Sequence, residues 1–293
     1  MKAIIFGMGN IGRRHADILI GHGVEVVHFS HESFKPYDPG YVWPNTTGYD
    51  WDLFEMCAPD MAIICTPTHT HSSIAISCIY HGCKNVFIEK PVDAGLISIK
   101  SLEVAAATGN ATVYVAYPLR FHPEIERLKV TSHTLYLPQI TCLTHLPSWH
   151  PSRRLEKTYS YRRSTGGGAL LELSHEIDLA EHLFGEIVDI ECHAGLMGGV
   201  TFDAEDYAFL DTTHASGQIC SLSLDIGASK EERFVDYWSN GARNHVDYSV
   251  TQECYERQMD YFLENLGNPK LMNNLTEASK LFRKIMGVRN EIG

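Results

Sequence analysis

The sequence predicts an α/β protein with a doubly wound parallel sheet first and an antiparallel sheet with helices after it. Two observations predict this fold class. Up to residue 117, short apolar runs alternate with helical patterns, which implies right-handed crossovers between parallel strands. From residue 119, longer runs with partial polar–apolar alternation follow one another, as antiparallel strands do. We therefore expect two domains, residues 1–118 and 119–293.

The first domain begins with a buried strand at 2–6, a glycine-rich turn and a helix at 10–21. The other predicted strands are 24–29, 61–65, 86–88 and 112–116, and the other predicted helices are 71–81 and 95–107. Residues 33–48 contain three prolines and two glycines, so we predict a loop there with at most a short strand, in place of a crossover helix.

The second domain carries longer apolar runs. Its predicted strands are 140–145, 188–193, 207–213 and 218–225, and its predicted helices are 169–184, 251–266 and 276–288. We allow the last helix to pack back on the first domain.

Composition excludes several classes of function. The 24 basic and 36 acidic residues give a net charge of −12, which argues against nucleic acid and against an anionic membrane surface as partners. No apolar run reaches the roughly 18 residues of a membrane span, and no signal-peptide pattern is present. We interpret the eight scattered cysteines as free thiols. We expect a cytoplasmic protein.

The turn after the first strand has the pattern GxGxxG, with Gly7, Gly9 and Gly12 around Asn10 and Ile11. The first glycine permits a tight turn, the second lets a pyrophosphate approach the backbone, and the third lets helix and strand pack closely. The helix start adds amide donors. We predict that these five residues bind a dinucleotide; the alternative is a merely structural turn.

The end of the second strand bears on the choice of cofactor. An acidic residue there would bind the adenosine 2′-hydroxyl of NAD, but the strand ends at Ser30 and His31. These two residues could bind a 2′-phosphate, with Arg13 or Lys35 as further candidates, so NADP is slightly favoured over NAD. The alternative is that the Glu32 side chain reaches back to the ribose and that NAD is the cofactor.

Two further segments follow strands at the edge where a doubly wound sheet binds its ligand. Thr66, Pro67 and His71 follow one strand, and we expect them beside the cofactor or at a helix start; His69 and His71 lack the partners of a metal site. We predict no metal.

Glu89 and Lys90 end the next strand, where a charged pair suits cofactor binding and chemistry better than core packing. Pro91 restricts Lys90 to an extended conformation, which aims its side chain. The alternative is a surface lysine at a strand end.

The helix predicted after Gly166–Gly168 carries an apolar stripe and a polar face. Glu172, His175, Asp178 and His182 share that face, and a histidine with two carboxylates could be an acid/base group with its orienting partner. A solvated helix face is the alternative. The three glycines favour the first interpretation, since they allow a close backbone approach.

Together these residues resemble the Gfo/Idh/MocA oxidoreductase family. The similar segments are 7–15, 65–71, 89–91, 115–123 and 166–185, in the order and at the spacing of that family. The resemblance covers nearly the whole chain.

The resemblance implies an N-terminal Rossmann domain and a C-terminal α/β domain with an open, mostly antiparallel sheet, whose outer face often forms a homodimer or homotetramer. Members oxidise or reduce a hydroxyl carbon of a sugar, an inositol or a sugar nucleotide. Lys90 matches the catalytic lysine of the family, and its bond to Pro91 is often cis. His175 and Asp178 match the helix-borne catalytic pair.

The sequence departs from the family in three places. Glu172 lies three residues before His175, where members commonly have an acid four before; Pro118 replaces a frequent Asn; and residues 33–48 lack the usual helix. Segments 148–153 and 174–178, with Tyr161 and Arg162, look most like members from bacterial surface-sugar gene sets, including nonulosonic-acid pathways.

We expect hydride transfer between a carbinol carbon and the nicotinamide, with His175 exchanging the hydroxyl proton and Lys90 polarising the oxygen. Asp178 would orient His175 or bind a neighbouring hydroxyl. The expected substrate-binding residues are Arg120, Trp149, His150, Arg162 and Glu172. Two rivals stay open: a non-catalytic NAD(P)- or sugar-sensing protein, and a glycoside hydrolase that uses NAD for transient oxidation.

Overall fold

The computed structural model of the chain describes residues 1–30, 33–36, 49–149, 154–197 and 203–292. Contacts divide the chain into two compact units, Met1–Ala116 with Glu256–Ser279 and Tyr117–Tyr255 with Lys280–Gly293. The sequence analysis assigned residues 256–279 to the second domain, whereas here they belong to the first unit. The reason is aromatic packing, because the Phe262 ring lies 5.3 Å from that of Phe87.

The first unit contains a six-stranded sheet of order β3-β2-β1-β4-β5-β6. The strands are β1 (Lys2–Phe6), β2 (Glu25–Ser30), β3 (Ser33–Pro36), β4 (Met61–Ile64), β5 (Asn85–Glu89) and β6 (Thr112–Ala116). All neighbours are parallel except β2 and β3, so the predicted doubly wound parallel sheet is confirmed. The short strand β3 lies in the segment that was predicted as a loop with at most a short strand; residues 37–48 lie outside the described part.

The helices of this unit are α1 (Asn10–Gly21), α2 (Trp51–Cys57), α3 (His71–Tyr80) and α4 (Leu96–Gly109). We did not predict α2, which is short and begins where the Asp50 carboxylate accepts a hydrogen bond from the Leu53 amide at 3.1 Å. Such a side-chain cap stabilises the first turn of a helix too short to be stable alone.

The second unit contains a six-stranded sheet of order β12-β11-β7-β10-β9-β8. The strands are β7 (Tyr136–His145), β8 (Ile187–Gly195), β9 (Tyr207–His214), β10 (Ile219–Asp225), β11 (Gly227–Ser239) and β12 (Ala242–Asp247). Only the β7–β10 pair is parallel, so the sheet is mostly antiparallel, as expected. The strands β11 and β12 were not predicted, because the exposed hairpin they form has little apolar alternation.

The remaining helices in the described residues are, in chain order, α5 (Pro123–Thr131), α6 (Leu146–Trp149), α7 (Ala169–Glu172), α8 (Ser174–Phe184), α9 (Gln252–Glu264) and α10 (Leu275–Ile292). Of these, α7 and α8 pack against strands of the second sheet, and most of α9 belongs to the first unit. The single helix predicted at 169–184 is wrong, because the backbone of Leu173 leaves the helical region with φ −101° and ψ 26°. The break is compatible with the buried surroundings of both helices, where packing outweighs local helix propensity.

Two other features concern the chain as a whole. None of the helices in the described ranges combines the length and the apolar character needed to cross a membrane. All eight cysteines fall in those ranges and are free thiols, as the sequence analysis expected.

Candidate functional site

The first glycine turn, residues 7–12, joins β1 to α1. Gly7 has a φ of +88°, and a Cβ there would lie 2.5 Å from the carbonyl oxygen of Cys65. A Cβ on Gly12 would lie 1.9 Å from the carbonyl oxygen of Gly7. Because neither position has room for a side chain, these two glycines are required by the packing of the protein itself.

Gly9 differs from its two neighbours in the motif. A Cβ on Gly9 would meet no atom of the described residues within 4 Å. Asn10 and Ile11 begin α1 directly after it, and no side chain in the described part caps this end of the helix. The backbone here can therefore be approached from outside, and a helix start offers amide donors and a partial positive charge. These properties fit the pyrophosphate of a dinucleotide.

The end of β2 was expected to select between the two dinucleotides. The strand ends at Ser30, which is paired with Ser33 of β3, and His31 lies outside the described residues. Two residues earlier in the sequence, His28 is buried, and burial lowers its pKa to about 4. His28 is therefore neutral and suits the core rather than a phosphate.

The loop after β4 is held by a buried histidine. The Nε2 of His71 lies 2.7 Å from the carbonyl oxygen of Thr66, and its Nδ1 lies 2.9 Å from that of Pro91. Burial lowers the pKa of His71, while the two carbonyl contacts oppose that shift. The ring thus links the loop that carries Thr66 and Pro67 to the loop that follows Lys90. Direct contact of His71 with a cofactor stays a prediction.

The loop after β5 contains the predicted catalytic lysine. Glu89 lies at the end of the strand, with its Oε1 2.7 Å from Nε2 of the fully buried His15. Lys90 follows as a half-buried side chain, and the Lys90–Pro91 peptide bond is cis, as the family resemblance implied. The buried contact with His15 fixes the strand end from which Lys90 extends.

In the second unit, α8 carries two of the predicted catalytic side chains. His175 is 8% exposed and Asp178 is 1% exposed, so a solvated helix face is excluded for this pair. The guanidinium of Arg120 donates from Nε and Nη2 to the two carboxylate oxygens of Asp178, at 2.9 and 2.7 Å. Arg120 was predicted to bind substrate, and the structure places it on Asp178.

A buried tyrosine lies beside His175. The ring centroids of Tyr117 and His175 are 6.0 Å apart in an edge-to-face arrangement. Burial raises the pKa of Tyr117, and the nearby Asp178 charge raises it further, so the phenol keeps its proton. The arrangement can hold an imidazole in one orientation, as an acid/base group requires.

The remaining predicted substrate residues are spread over different surroundings. Glu172 is buried in α7, and the break at Leu173 lies between it and His175, so the two residues do not belong to one continuous helix. The indole N–H of Trp149 donates to Oγ1 of Thr144 at 3.0 Å. Arg162 is exposed, and His150 lies outside the described residues.

The close approach predicted for Gly166–Gly168 is made by the protein itself. A Cβ on Gly167 would lie 2.0 Å from the carbonyl oxygen of Ser160, and one on Gly168 would lie 2.5 Å from Oε1 of Glu205. These glycines therefore do not indicate a ligand. Within the described ranges, no group of three or more His, Cys, Asp or Glu side chains is arranged to hold a metal ion.

Comparison with known families decides the assignment. Residues 1–117 match the sequence model described as "Oxidoreductase family, NAD-binding Rossmann fold", and residues 140–244 match that of the GFO/IDH/MocA C-terminal domain. The chain belongs to the Gfo/Idh/MocA oxidoreductase family. The predicted family, the predicted fold class and the class of NAD(P)-dependent oxidoreductase are thereby confirmed.

Individual members of the Gfo/Idh/MocA family are distant relatives. The chain is 26% identical to a myo-inositol 2-dehydrogenase of Thermotoga maritima over 47% of this chain and 40% of that protein, less than half its length. It is 25% identical to an inositol 2-dehydrogenase of Rhizobium meliloti over 81% of this chain and 73% of that protein.

A solved structure shows the shared fold. The WlbA dehydrogenase of Bordetella pertussis, in complex with NADH and UDP-GlcNAcA, superposes with a TM-score of 0.77 at 16% identity. The superposition covers all of this chain and 96% of that one.

Three neighbours of the predicted site residues were not found from the sequence. They are His15 beside Glu89, Tyr117 beside His175, and Arg120 as the partner of Asp178. A buried acid requires a cationic or hydrogen-bonding partner, so the helix pattern alone could have indicated that Asp178 needs one. The identity of that partner depends on a contact between residues 58 positions apart.

Proposed function

We propose that this Gfo/Idh/MocA member transfers a hydride to or from a hydroxyl carbon of a sugar, sugar nucleotide or inositol-like substrate. When bound, the nicotinamide supplies the hydride acceptor or donor. The protein then has to orient the substrate, hold its oxygen and move one proton. The names of the relatives, which act on inositol or bind a UDP-sugar, support this substrate class.

One observation carries the proposal. His175 and Asp178 are almost entirely buried on α8, although both side chains are polar and a surface position would cost nothing. Buried imidazoles also serve structure, as those of His15 and His71 do here, but one that lies three residues from a buried carboxylate on the same helix also suits proton exchange with a substrate hydroxyl. A sensor on the same fold would not require Lys90 and His175 together.

The proposed roles follow from the residue chemistry. Lys90 holds and polarises the substrate oxygen, and His175 takes the hydroxyl proton during oxidation or returns it during reduction. Both carboxylate oxygens of Asp178 accept hydrogen bonds from Arg120. We therefore propose that Asp178 holds α8 in position and sets the electrostatic environment around it. Trp149, His150, Arg162 and Glu172 remain our proposed substrate-binding residues.

A substrate panel tests the proposed reaction. Purified protein is incubated with NADP or NAD and with myo-inositol, UDP-N-acetylglucosamine and their oxidised forms, while the nicotinamide absorbance is followed. A substrate-dependent change in absorbance is the expected result. Binding of a sugar with no absorbance change in either direction would favour the sensor. Cleavage of a glycoside with no net consumption of cofactor would favour the hydrolase.

We further propose that NADP is preferred over NAD. The support is chemical, because Ser30 and the next residue in the sequence, His31, are of types that can donate to a 2′-phosphate, and neither is acidic. The His31→Asp variant should reverse the preference, because a carboxylate repels the phosphate and accepts from a 2′-hydroxyl. The ratio of kcat/KM values for the two cofactors measures this. A wild-type preference for NAD would refute the proposal.

We also propose a cytoplasmic homodimer or homotetramer that assembles through the outer face of the second sheet. Exposed apolar side chains on this sheet, among them Phe209, Ile219 and Trp238, support an assembly surface. Light scattering after gel filtration should give a mass two or four times that of the chain. Substitution of Phe209 and Ile219 by charged residues should reduce it to one.

A further inference from the structure

The second glycine turn, residues 166–168, leads directly into α7 and then α8. Gly166 and Gly168 have φ values of +99° and +109°, which side chains rarely adopt. At Gly168 the space that a Cβ would need is taken by the carboxylate of Glu205. The turn is therefore shaped to receive that one carboxylate.

Glu205 contacts the first two amides of α7. Its backbone carbonyl accepts from the Ala169 amide at 2.8 Å, and its Oε1 accepts from the Leu170 amide at 3.4 Å. The first amides of a helix lack partners inside the helix, so a residue that accepts from them determines where the helix begins. The Glu205 side chain is only 2% exposed.

Two guanidinium groups hold this carboxylate in place. Arg289 donates from Nε to Oε1 of Glu205 at 3.1 Å, and Arg163 donates from Nη1 to Oε2 at 3.0 Å. Arg289 also donates from Nη2 to the carbonyl of Gly167, and Arg163 donates from Nη2 to the carbonyl of Arg289. The last turns of α10 are thus joined to the turn before α7.

The connection continues to the catalytic histidine through the backbone. The Leu173 amide donates to the carbonyl of Ala169 at 2.9 Å, and the Glu176 amide donates to that of Leu173 at 3.1 Å. A displacement of the start of α7 therefore moves the first turn of α8, in which His175 lies. Reactions that depend on aligned atoms are sensitive to such displacements.

We propose that Glu205 and Arg289 are positioning residues for His175, which fix the second glycine turn and thereby the start of α8. The catalytic consequence rests on the proposed function, but the effect on local order does not. A buried ion pair adds little net stability compared with apolar packing, while its directional bonds specify one arrangement. The burial of the Glu205 carboxylate with the guanidinium groups of Arg163 and Arg289 is consistent with a positioning role.

The test compares Glu205→Gln, Arg289→Gln and the milder Arg289→Lys with the control Lys280→Gln. Lys280 lies on the same helix, is exposed, and loses the same charge in its variant. Lysine keeps the charge at position 289 but cannot bind Glu205 and the Gly167 carbonyl as a fork. Each full-length variant is examined by hydrogen–deuterium exchange and by NMR of labelled histidine.

Exchange in peptides spanning 166–178 should accelerate about tenfold in Glu205→Gln and Arg289→Gln, less in Arg289→Lys, and not in Lys280→Gln. The NMR chemical shifts of the His175 ring should change in the same order. With an active substrate, kcat should fall up to about a hundredfold while KM and the NADP dissociation constant stay within about twofold.

Two results would overturn the inference. One is unchanged exchange at 166–178 in both glutamine variants. The other is acceleration of equal size throughout β9 and β10, since that would indicate a general loss of stability. If no compound in the substrate panel changes the absorbance, the proposed function fails, but hydrogen exchange and the His175 chemical shifts still decide the positioning role.

Discussion

Arg120 binds both carboxylate oxygens of Asp178 from the short helical turn that precedes α5, and the two side chains are 9% and 1% exposed. A bidentate arginine–carboxylate pair combines charge attraction with a fixed geometry. In a buried position its net value is small, but the loss of one partner leaves the other charged and unpaired. Asp178 is therefore a structural requirement as well as a candidate catalytic residue.

Replacement of Asp178 by Asn should destabilise the protein by about 3–5 kcal/mol, because the Arg120 guanidinium stays buried without a counter-charge. Chemical denaturation measures the free energy of unfolding. The control is Glu124→Gln, which breaks the exposed pair between Glu124 and Arg127 and should cost less than about 1 kcal/mol. An equal loss of unfolding free energy in the two variants would show that the Arg120–Asp178 pair contributes no more than an exposed ion pair.

Alanine at two positions of the first glycine turn should separate folding from cofactor binding. Gly12→Ala should lower the free energy of unfolding by about 1–3 kcal/mol or more, since its Cβ would overlap the Gly7 carbonyl. Gly9→Ala should leave stability within about 0.5 kcal/mol of the wild type and weaken NADP binding at least about tenfold. Calorimetric titration and thermal melting distinguish the two effects, and unimpaired NADP binding by Gly9→Ala would contradict the prediction.

Lys90→Ala and His175→Ala should each reduce turnover by about two orders of magnitude or more while the dissociation constant of NADP changes little. The reason is the role that we propose for both side chains, which is to act on the substrate oxygen and not on the cofactor. Lys100→Ala and His133→Ala provide matched controls, because both side chains are exposed. Near-normal turnover in both active-site variants would exclude the assigned roles.

The stability of the protein should fall as the pH is lowered below 6.5. Burial and the charges of Arg120 and Lys129 lower the pKa of His182 from 6.5 to about 3. Between those pH values the unfolded chain binds a proton that the folded chain does not, so acid favours unfolding and the loss ends below about pH 3. His182→Gln should therefore flatten the dependence of the unfolding free energy on pH.

His245 provides a control of opposite sign. Hydrogen bonds to Asp236 and Asp247 raise the pKa of this exposed histidine above 6.5. Its contribution to stability is present below pH 6.5 and disappears as the pH rises through the folded-state pKa. His245→Gln should lower the stability below pH 6.5 by a nearly constant amount and remove the gain that acidification gives above pH 6.5, and a flatter acid loss in this variant would contradict the sign argument.

Local pattern was sufficient for much of the fold and for part of the site. Each of three segments could be recognised from a dozen residues or fewer, because its constraints are local: the GxGxxG turn, the Glu89-Lys90-Pro91 loop and the helix that carries His175. The break at Leu173 was missed because apolar periodicity continues across it. The cause lies in the surrounding packing, which the sequence does not display.

The long-range partners were the part that sequence could not supply. Gly168 looked like a position for a ligand, yet the group that approaches it is Glu205, whose own partner Arg289 lies 84 residues further on. Glycine signals a close approach without revealing what approaches. The break between α7 and α8 likewise places Glu172 and His175 in two helices, where their spacing had suggested one.

The return of residues 256–279 to the first unit has a consequence for synthesis on the ribosome. The core around Phe87 and Tyr114 is incomplete until Phe262 has been translated. The nucleotide-binding half therefore cannot reach its final packing as a nascent N-terminal piece, and expression of residues 1–116 alone should yield an aggregation-prone fragment.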